Sequence, residues 1–259
     1  MKDKKTTLKK ILFLLLLLAI ETKAQTTIFN ADFSNGTGNN AFTATVTSTW
    51  ARGSNGIYPA SGSGDYLYLI PAGDSKYPSN SNTSAITPTI NLTGYERLSL
   101  SFRFYANIEP TYDGLRILFS TDNGATYLPL GKENDQATNW YNNTNIQAYG
   151  ASANIRGWSG NFTAGNWITA SIDLPSQGFD NKTNIKFRIE FRSDNTLNYT
   201  GVAIDDFKII GYPVTAKTYP SYSAFNKLEV WYKPQSLSAL ANNAPIDSWP
   251  NATGINTSW

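Results

Sequence analysis

Two stretches of this chain alternate apolar and polar residues with a period of two, and that pattern limits the fold more than any other feature. Leu98, Leu100, Phe102 and Phe104 interleave with Ser99, Ser101, Arg103 and Tyr105. Ile185, Phe187, Ile189 and Phe191 interleave with Lys186, Arg188, Glu190 and Arg192. Successive strand side chains point to opposite faces, so each segment offers one face to a core and one to water, as antiparallel sheets do. Leu115 to Ser120 reads as a further strand, and Asp122-Asn123-Gly124 supplies the turn that returns it through Tyr127-Leu128-Pro129-Leu130. Beyond residue 24 no segment keeps helical spacing for three turns, and Pro59, Pro71, Pro78, Pro88, Pro110 and Pro175 fall between the strand-like runs. The expected fold is all-β, an antiparallel β-sandwich of jelly-roll type.

What such a sandwich can do is narrowed by what the chain lacks. It has no cysteine and no histidine. That excludes Ser-His-Asp and Cys-His catalysis, thiolate or imidazole zinc sites, and stabilisation by disulfides. The remaining inventory of carboxylates, amides, hydroxyls, lysine and arginine suits a hard cation such as calcium. Five lysines within residues 1–10 precede an unbroken apolar run from Ile11 to Ile20, and Ala24 follows a short polar stretch. This is the layout of a secretory signal peptide over residues 1–24, and the run is short of the about 20 residues a membrane span needs. Residues 1–24 hold six lysines against Asp3 and Glu21, so removing them turns the formal +2 into about −2. A near-neutral mature chain gives no reason to expect nucleic acid or an anionic membrane as partner. The expected location is secreted or cell-surface.

Gly201-Val202-Ala203-Ile204-Asp205-Asp206-Phe207-Lys208-Ile209 places two adjacent carboxylates inside a strand. An unpaired buried charge is costly, so a cation, backbone amides or an arginine must answer at least one of them. Simple alternation puts Asp205 on the face of Ala203 and Phe207, and Asp206 on that of Ile204 and Lys208, unless a bulge shifts the register. Beyond this strand, residues 212–223 are framed by Pro213 and Pro220 and read as a linker. Leu228-Glu229-Val230-Trp231-Tyr232 and Ile246-Asp247-Ser248-Trp249 then open new strands, so residues 224–259 read as the incomplete start of a second β domain.

The order of landmarks over residues 28–210 resembles the MAM-type jelly-roll domain in its cysteine-free bacterial forms. Phe29-Asn30-Ala31-Asp32-Phe33 resembles its opening strand, and Gly64-Asp65-Tyr66-Leu67-Tyr68-Leu69 its Gly-x-Tyr-Leu strand. Thr87 to Leu92, the hairpin from Leu118 to Tyr127, Gly165-Asn166-Trp167 through Leu174, and Val202 to Ile209 follow in the family's order. The tail from Leu228 to Trp249 is similar to the opening of a laminin G or concanavalin-like domain. The resemblance implies a MAM-like domain over residues 25–211 that serves adhesion or ligand recognition, with an extracellular glycan or surface protein as partner, and not a catalyst. An accessory domain of a larger secreted glycosidase or protease is the alternative. It also implies a structural calcium where the first and last strands meet, with Asp32, Asp65, Asp205 and Asp206 as the metal-site candidates. The other reading of the acidic pair is a metal-free arrangement capped by backbone amides and Arg188 or Arg192.

Trp140, Tyr141, Tyr149 and Trp158 lie in a long polar stretch between Gly131 and Gly165. Loops on a rigid sandwich commonly carry binding function, and rings stack on apolar sugar faces. Trp140 and Tyr141 are the ligand-binding candidates, while Trp158 and Trp167 match landmarks and suit core or anchoring roles. Paired carboxylates can hydrolyse glycosides without histidine. Here Glu190 shares its face with Arg188 and Arg192, which reads as a salt-bridged ladder, and Glu109-Pro110 and Asp113-Gly114 read as turns.

Overall fold

In the computed structural model the described residues are 24–34, 42–44, 49–62, 64–131, 137–150, 155–214, 248–250 and 256–258. The expected signal peptide up to residue 23, the expected strand at 228–232 and the expected linker beyond residue 214 lie outside them. The chain divides into two compact units, Met1–Val214 and Thr215–Trp259. In the second unit, β13 (Ser248–Pro250) and β14 (Asn256–Ser258) form an antiparallel pair.

The described residues of the first unit form twelve strands: β1 (Thr26–Ala31), β2 (Thr43–Ala44), β3 (Trp50–Gly53), β4 (Tyr66–Leu69), β5 (Asn82–Ile86), β6 (Tyr95–Asn107), β7 (Gly114–Ser120), β8 (Leu128–Pro129), β9 (Ala137–Thr138), β10 (Ile168–Asp173), β11 (Lys186–Arg192) and β12 (Gly201–Pro213). One sheet runs β3-β4-β12-β6-β10-β9, with β1 also paired to β12, and the other runs β2-β5-β11-β7-β8. Every pairing is antiparallel. The chain is an all-β sandwich, as the alternation requires.

The apolar faces of the two periodic segments meet in the core. Leu98, Leu100, Phe102 and Phe104 on β6, and Ile185 with Phe187, Ile189 and Phe191 at β11, are at most 1 % exposed. Phe207 links the sheets, stacked on Phe102 with centroids 5.9 Å apart and tilted against Phe187 at the same distance. Asp122-Asn123-Gly124 turns the β7–β8 hairpin as expected. Asn123 and Gly124 take positive φ of 61° and 93°, and the Asp122 carboxylate accepts the Thr126 N–H and hydroxyl. Those bonds favour the charged form and hold Asp122 down at about 2.

The strand carrying the acidic pair departs from simple alternation. Asp205 stands opposite Arg103 and the next pairing is Lys208 with Ser101, so a bulge occupies 206–207 and Asp206 adopts φ 50°. The inserted residue flips parity: Ile204 before the bulge and Phe207 and Ile209 after it all enter the core. Asp205, paired with Arg103, therefore points away from the core with Ala203, not with Phe207, yet it is fully buried. The segment bearing Tyr58 and Ser61 lies on that outer face, with Tyr58 against Tyr105 at 5.5 Å and the Arg103 Nη1 donating to the Ser61 carbonyl.

The expected linker start also moves. Tyr212 and Pro213 still pair with Glu96 and Tyr95, and the Val214 N–H donates to the Gly94 carbonyl at 2.8 Å. Truncation after Val214 should therefore leave the melting temperature of the first unit within about a degree of the full chain, since few contacts cross a domain boundary. A loss of several degrees would mean that residues 215–259 help hold the sandwich.

Candidate metal centre and adjoining cleft

Two connections bring carboxylates together at one end of the sandwich. The β6–β7 connection supplies Glu109 and Asp113, and the β11–β12 connection supplies Asp194. The ladder places them: Gly114 pairs with Arg192, so Asp113 and the residues after Arg192 leave adjacent strands side by side. Ligand-capable oxygens of the three acids lie within 4.8 Å of one another, and among the described residues this is the group of three or more that can hold a metal ion. Asp113 is fully buried, Glu109 is 6 % exposed and Asp194 is half-buried.

Hydrogen bonds fix this cluster without neutralising it. The Tyr77 hydroxyl donates to Asp113 Oδ2 at 2.5 Å and accepts the Glu109 N–H at 3.0 Å. The Asp194 N–H donates to Asp113 Oδ1 at 2.8 Å. The Thr196 hydroxyl stands 2.9 Å from Glu109 Oε2 and 2.7 Å from Asp194 Oδ1. Beneath them the Ser159 hydroxyl reaches the Glu109 and Asp113 carbonyls at 3.1 and 2.7 Å. The ion pairs formed among the described residues join Arg103 to Asp206 and Arg116 and Arg192 to Glu190, so no arginine or lysine of that set answers the cluster. Burial raises the Asp113 carboxyl to about 6, and the neighbouring Asp194 and Glu109 charges add to the rise against the bonds from Tyr77 and Asp194. Three carboxylates, a hydroxyl and nearby carbonyls make an oxygen-only donor set, the kind hard divalent cations take.

The four acids expected to bind metal lie elsewhere. β6 occupies one edge of β12 throughout, so β4 and β1 share the other, β4 at 203–204 and β1 at 207–211. Asp65 precedes β4 and Asp32 follows β1, the strands that pair with β12 on either side of Asp206. Among the described residues no three of Asp32, Asp65, Asp205 and Asp206 have carboxylate oxygens as close as those of the Glu109 cluster. Asp32 Oδ1 accepts the Ser34 N–H and hydroxyl, Asp205 Oδ1 accepts the Asp206 N–H at 2.8 Å, and Asp206 Oδ2 lies 3.8 Å from Arg103 Nη1. Arg103 on β6 is an arginine beside the pair. Arg188 and Arg192 belong to the other sheet, where Arg192 and Arg116 bind Glu190 and Arg188 covers the Tyr127 ring.

Trp140 and Tyr141 require a correction. They do not display their faces from a loop: they are 8 % and 5 % exposed, and both pack on the fully buried Trp158 at 5.1 and 4.7 Å. The Trp140 Nε1 donates to the Leu130 carbonyl and the Tyr141 hydroxyl to that of Ile117. Rings covered on their faces and tied at their polar ends extend the core. Trp167 anchors a loop, its Nε1 donating to the Pro59 carbonyl at 2.8 Å.

The loop after Asp194 has a second side. Leu197 to Thr200 line an open cleft of about 630 Å³ together with Gly56, Ile57, Asp74, Ser75, Lys76 and Asn107. Its floor lies at the joined ends of β6 and β12, where the Asn107 Nδ2 donates to the Thr200 hydroxyl at 3.3 Å.

In the sequence Glu109-Pro110 and Asp113-Gly114 read as turns, and Asp194 carries no motif that marks it as a ligand. The available signal was position: all three stand at strand ends, which antiparallel pairing of the segments 115–120 and 185–192 would set side by side.

No family model matches the chain, and no curated protein matches its sequence. Among solved structures, the chain is similar to the K1 cleaved adhesin domain of Lys-gingipain from Porphyromonas gingivalis, with 14 % identity and a TM-score of 0.41 over 71 % of this chain and 97 % of that one. It is similar to the C-terminal CBM6 of LamC, a marine laminarinase from Zobellia galactanivorans, with 14 % identity and a TM-score of 0.36 over 73 % and 99 %. A xylan-binding domain from CBM 22 aligns at 11 % identity and a TM-score of 0.39 over 73 % and 97 %. Among the described residues no helix is long and apolar enough to cross a membrane.

Proposed function

We propose that this chain is a secreted or cell-surface, non-catalytic binding module that recognises a glycan or a protein outside the cell, and that a divalent cation, calcium by its ligands, steadies one end of it. The observation that carries this reading is the Glu109, Asp113 and Asp194 cluster: three carboxylates gathered where two loops leave the sandwich, two of them buried, beside an open cleft. Buried like charges are unfavourable alone and become favourable around an ion that accepts all of them. The acids are held by Tyr77, Ser159 and Thr196, an arrangement suited to fixing loops. A second cation reading places calcium between Asp32, Asp65, Asp205 and Asp206, supported by the pairing of β1 and β4 with the strand that carries Asp205 and Asp206. The module is equally suited to being an accessory domain of a larger secreted hydrolase.

Affinity electrophoresis of the mature protein through gels containing soluble polysaccharides tests the glycan arm. Retardation by at least one polymer, stronger in calcium than in EGTA and without release of reducing sugar, is expected. Unchanged migration in every gel would leave only a protein ligand, and release of reducing sugar would overturn the non-catalytic reading.

A further inference from the structure

The cleft beside the acid cluster has the chemistry of a particular ligand class. Its two ionic side chains, Asp74 and Lys76, are of opposite sign, so it offers no net charge to attract an ion. Asn107, Asn198, Ser75 and Thr200 add amides and hydroxyls that both donate and accept. Ile57 and Leu197 give apolar surface, Leu197 at 61 % exposure. Neutral sugars present this mixture in complement: hydroxyls around the ring edge and C–H groups on its face.

Two features mark the cleft as a built site. Asp74 and Ser75 sit consecutively in the left-handed region, at φ 60° and 58°, in a turn pinned by the Ala72 N–H to the Lys76 carbonyl and the Tyr77 N–H to the Tyr199 carbonyl. Such strain in non-glycine residues collects at ligand clamps, because the surroundings must hold it in place. Asn198 donates through Nδ2 to the Ser79 hydroxyl, while its Oδ1 is buried with no hydrogen-bond partner. The Nδ2 bond fixes the Asn198 side chain at the wall of the cleft before any ligand arrives. Asn107 enters the cleft from the end of β6, and the volume falls within the usual range for small-ligand sites, about 300–1,000 Å³.

We propose that this cleft is the ligand site and that it takes a neutral oligosaccharide. The proposal rests on the reading of the chain as a binding module and names the site and the ligand class within it. The test is isothermal titration of the mature protein with cellohexaose, laminarihexaose, mannohexaose and maltohexaose, with hexagalacturonate as the charged control. At least one neutral sugar should bind, and Lys76→Ala and Asn107→Ala should each weaken it about tenfold or more. Lys76 is exposed, so its variant should melt with the wild type, separating lost binding from lost folding. A neutral sugar bound equally well by both variants would place the site elsewhere and leave the module reading intact. Binding of hexagalacturonate alone would overturn the ligand class. No titration heat from a protein that polysaccharide gels do retard would overturn the cleft alone, and failure in both experiments would overturn the cleft and the glycan reading together.

Discussion

Trp158→Ala should be the most damaging single substitution in the sandwich, with a loss of about 3–5 kcal/mol in unfolding free energy. The indole is fully buried and touches Phe102, Phe104, Trp140 and Tyr141 with centroids 4.7 to 5.6 Å apart. Alanine would leave a void that two rings of β6 and two of the segment after β9 must collapse to fill, and close-packed interiors relax only in part. It would also strand the Asn139 carbonyl, which accepts the indole N–H at 2.9 Å. A domain stable by about 5–15 kcal/mol would keep little margin after such a loss. Trp140→Ala should behave alike on a smaller scale, whereas Trp167→Ala, at a half-buried ring, should cost clearly less. Urea unfolding of the three variants checks the order. If Trp140→Ala abolished ligand binding at full stability, the ring would be a contact surface after all.

Asp194→Asn should change sign with calcium. In EGTA at neutral pH the substitution removes one of three crowded negative charges and keeps the Oδ1 acceptor for Thr196, so the variant should melt no lower than the wild type. With calcium at 100 times its dissociation constant, the wild type should gain about 2.7 kcal/mol, or about 5–10 °C for a domain of this size. The variant should gain little, and the two melting curves should exchange order. The pH dependence in EGTA follows from Asp113, raised from 3.8 to about 6 by burial. A raised carboxyl binds its proton more tightly in the folded chain, so its contribution is favourable at low pH and is lost as pH rises from about 4 to about 6. The size is up to about 3 kcal/mol at about 1.4 kcal/mol per pKa unit. Comparison with Asp113→Asn, which lacks the titrating group, isolates the effect. If EGTA does not move the wild-type melt and Asp194→Asn destabilises in both buffers, the cluster is a hydrogen-bonded loop support and holds no ion.

The sheets were legible because alternation is a local signal. Leu98 to Phe104 and Ile185 to Phe191 announce a buried face within seven residues each, and the structure buries those faces. The bulge at Asp206 was legible only as an option, since one residue out of phase in an apolar strand leaves both parities plausible until a partner strand fixes the pairing. The segment from Asn139 to Trp158 was misjudged because its composition is that of a surface loop. Its Trp and Tyr side chains follow no period, and only the distant Phe102 and Ile117 show that they close the core. The acid cluster failed for a related reason: Asp194 and Asp113 are 81 residues apart and meet only through the β7–β11 ladder. Asp32, Asp65, Asp205 and Asp206 came from resemblance, and of these Asp32 and Asp65 lie just outside the strands that pair with β12.

Equilibrium dialysis with radiolabelled calcium, run on the wild type, Asp194→Asn and Asp205→Asn, tests the proposed metal centre most directly. One ion per chain is expected in the wild type, lost in Asp194→Asn and kept in Asp205→Asn, because the ion belongs to the Glu109, Asp113 and Asp194 cluster. An ion lost in Asp205→Asn and kept in Asp194→Asn would move the centre to the strand junction. Absence of bound calcium in all three proteins would contradict the cation-steadied module outright.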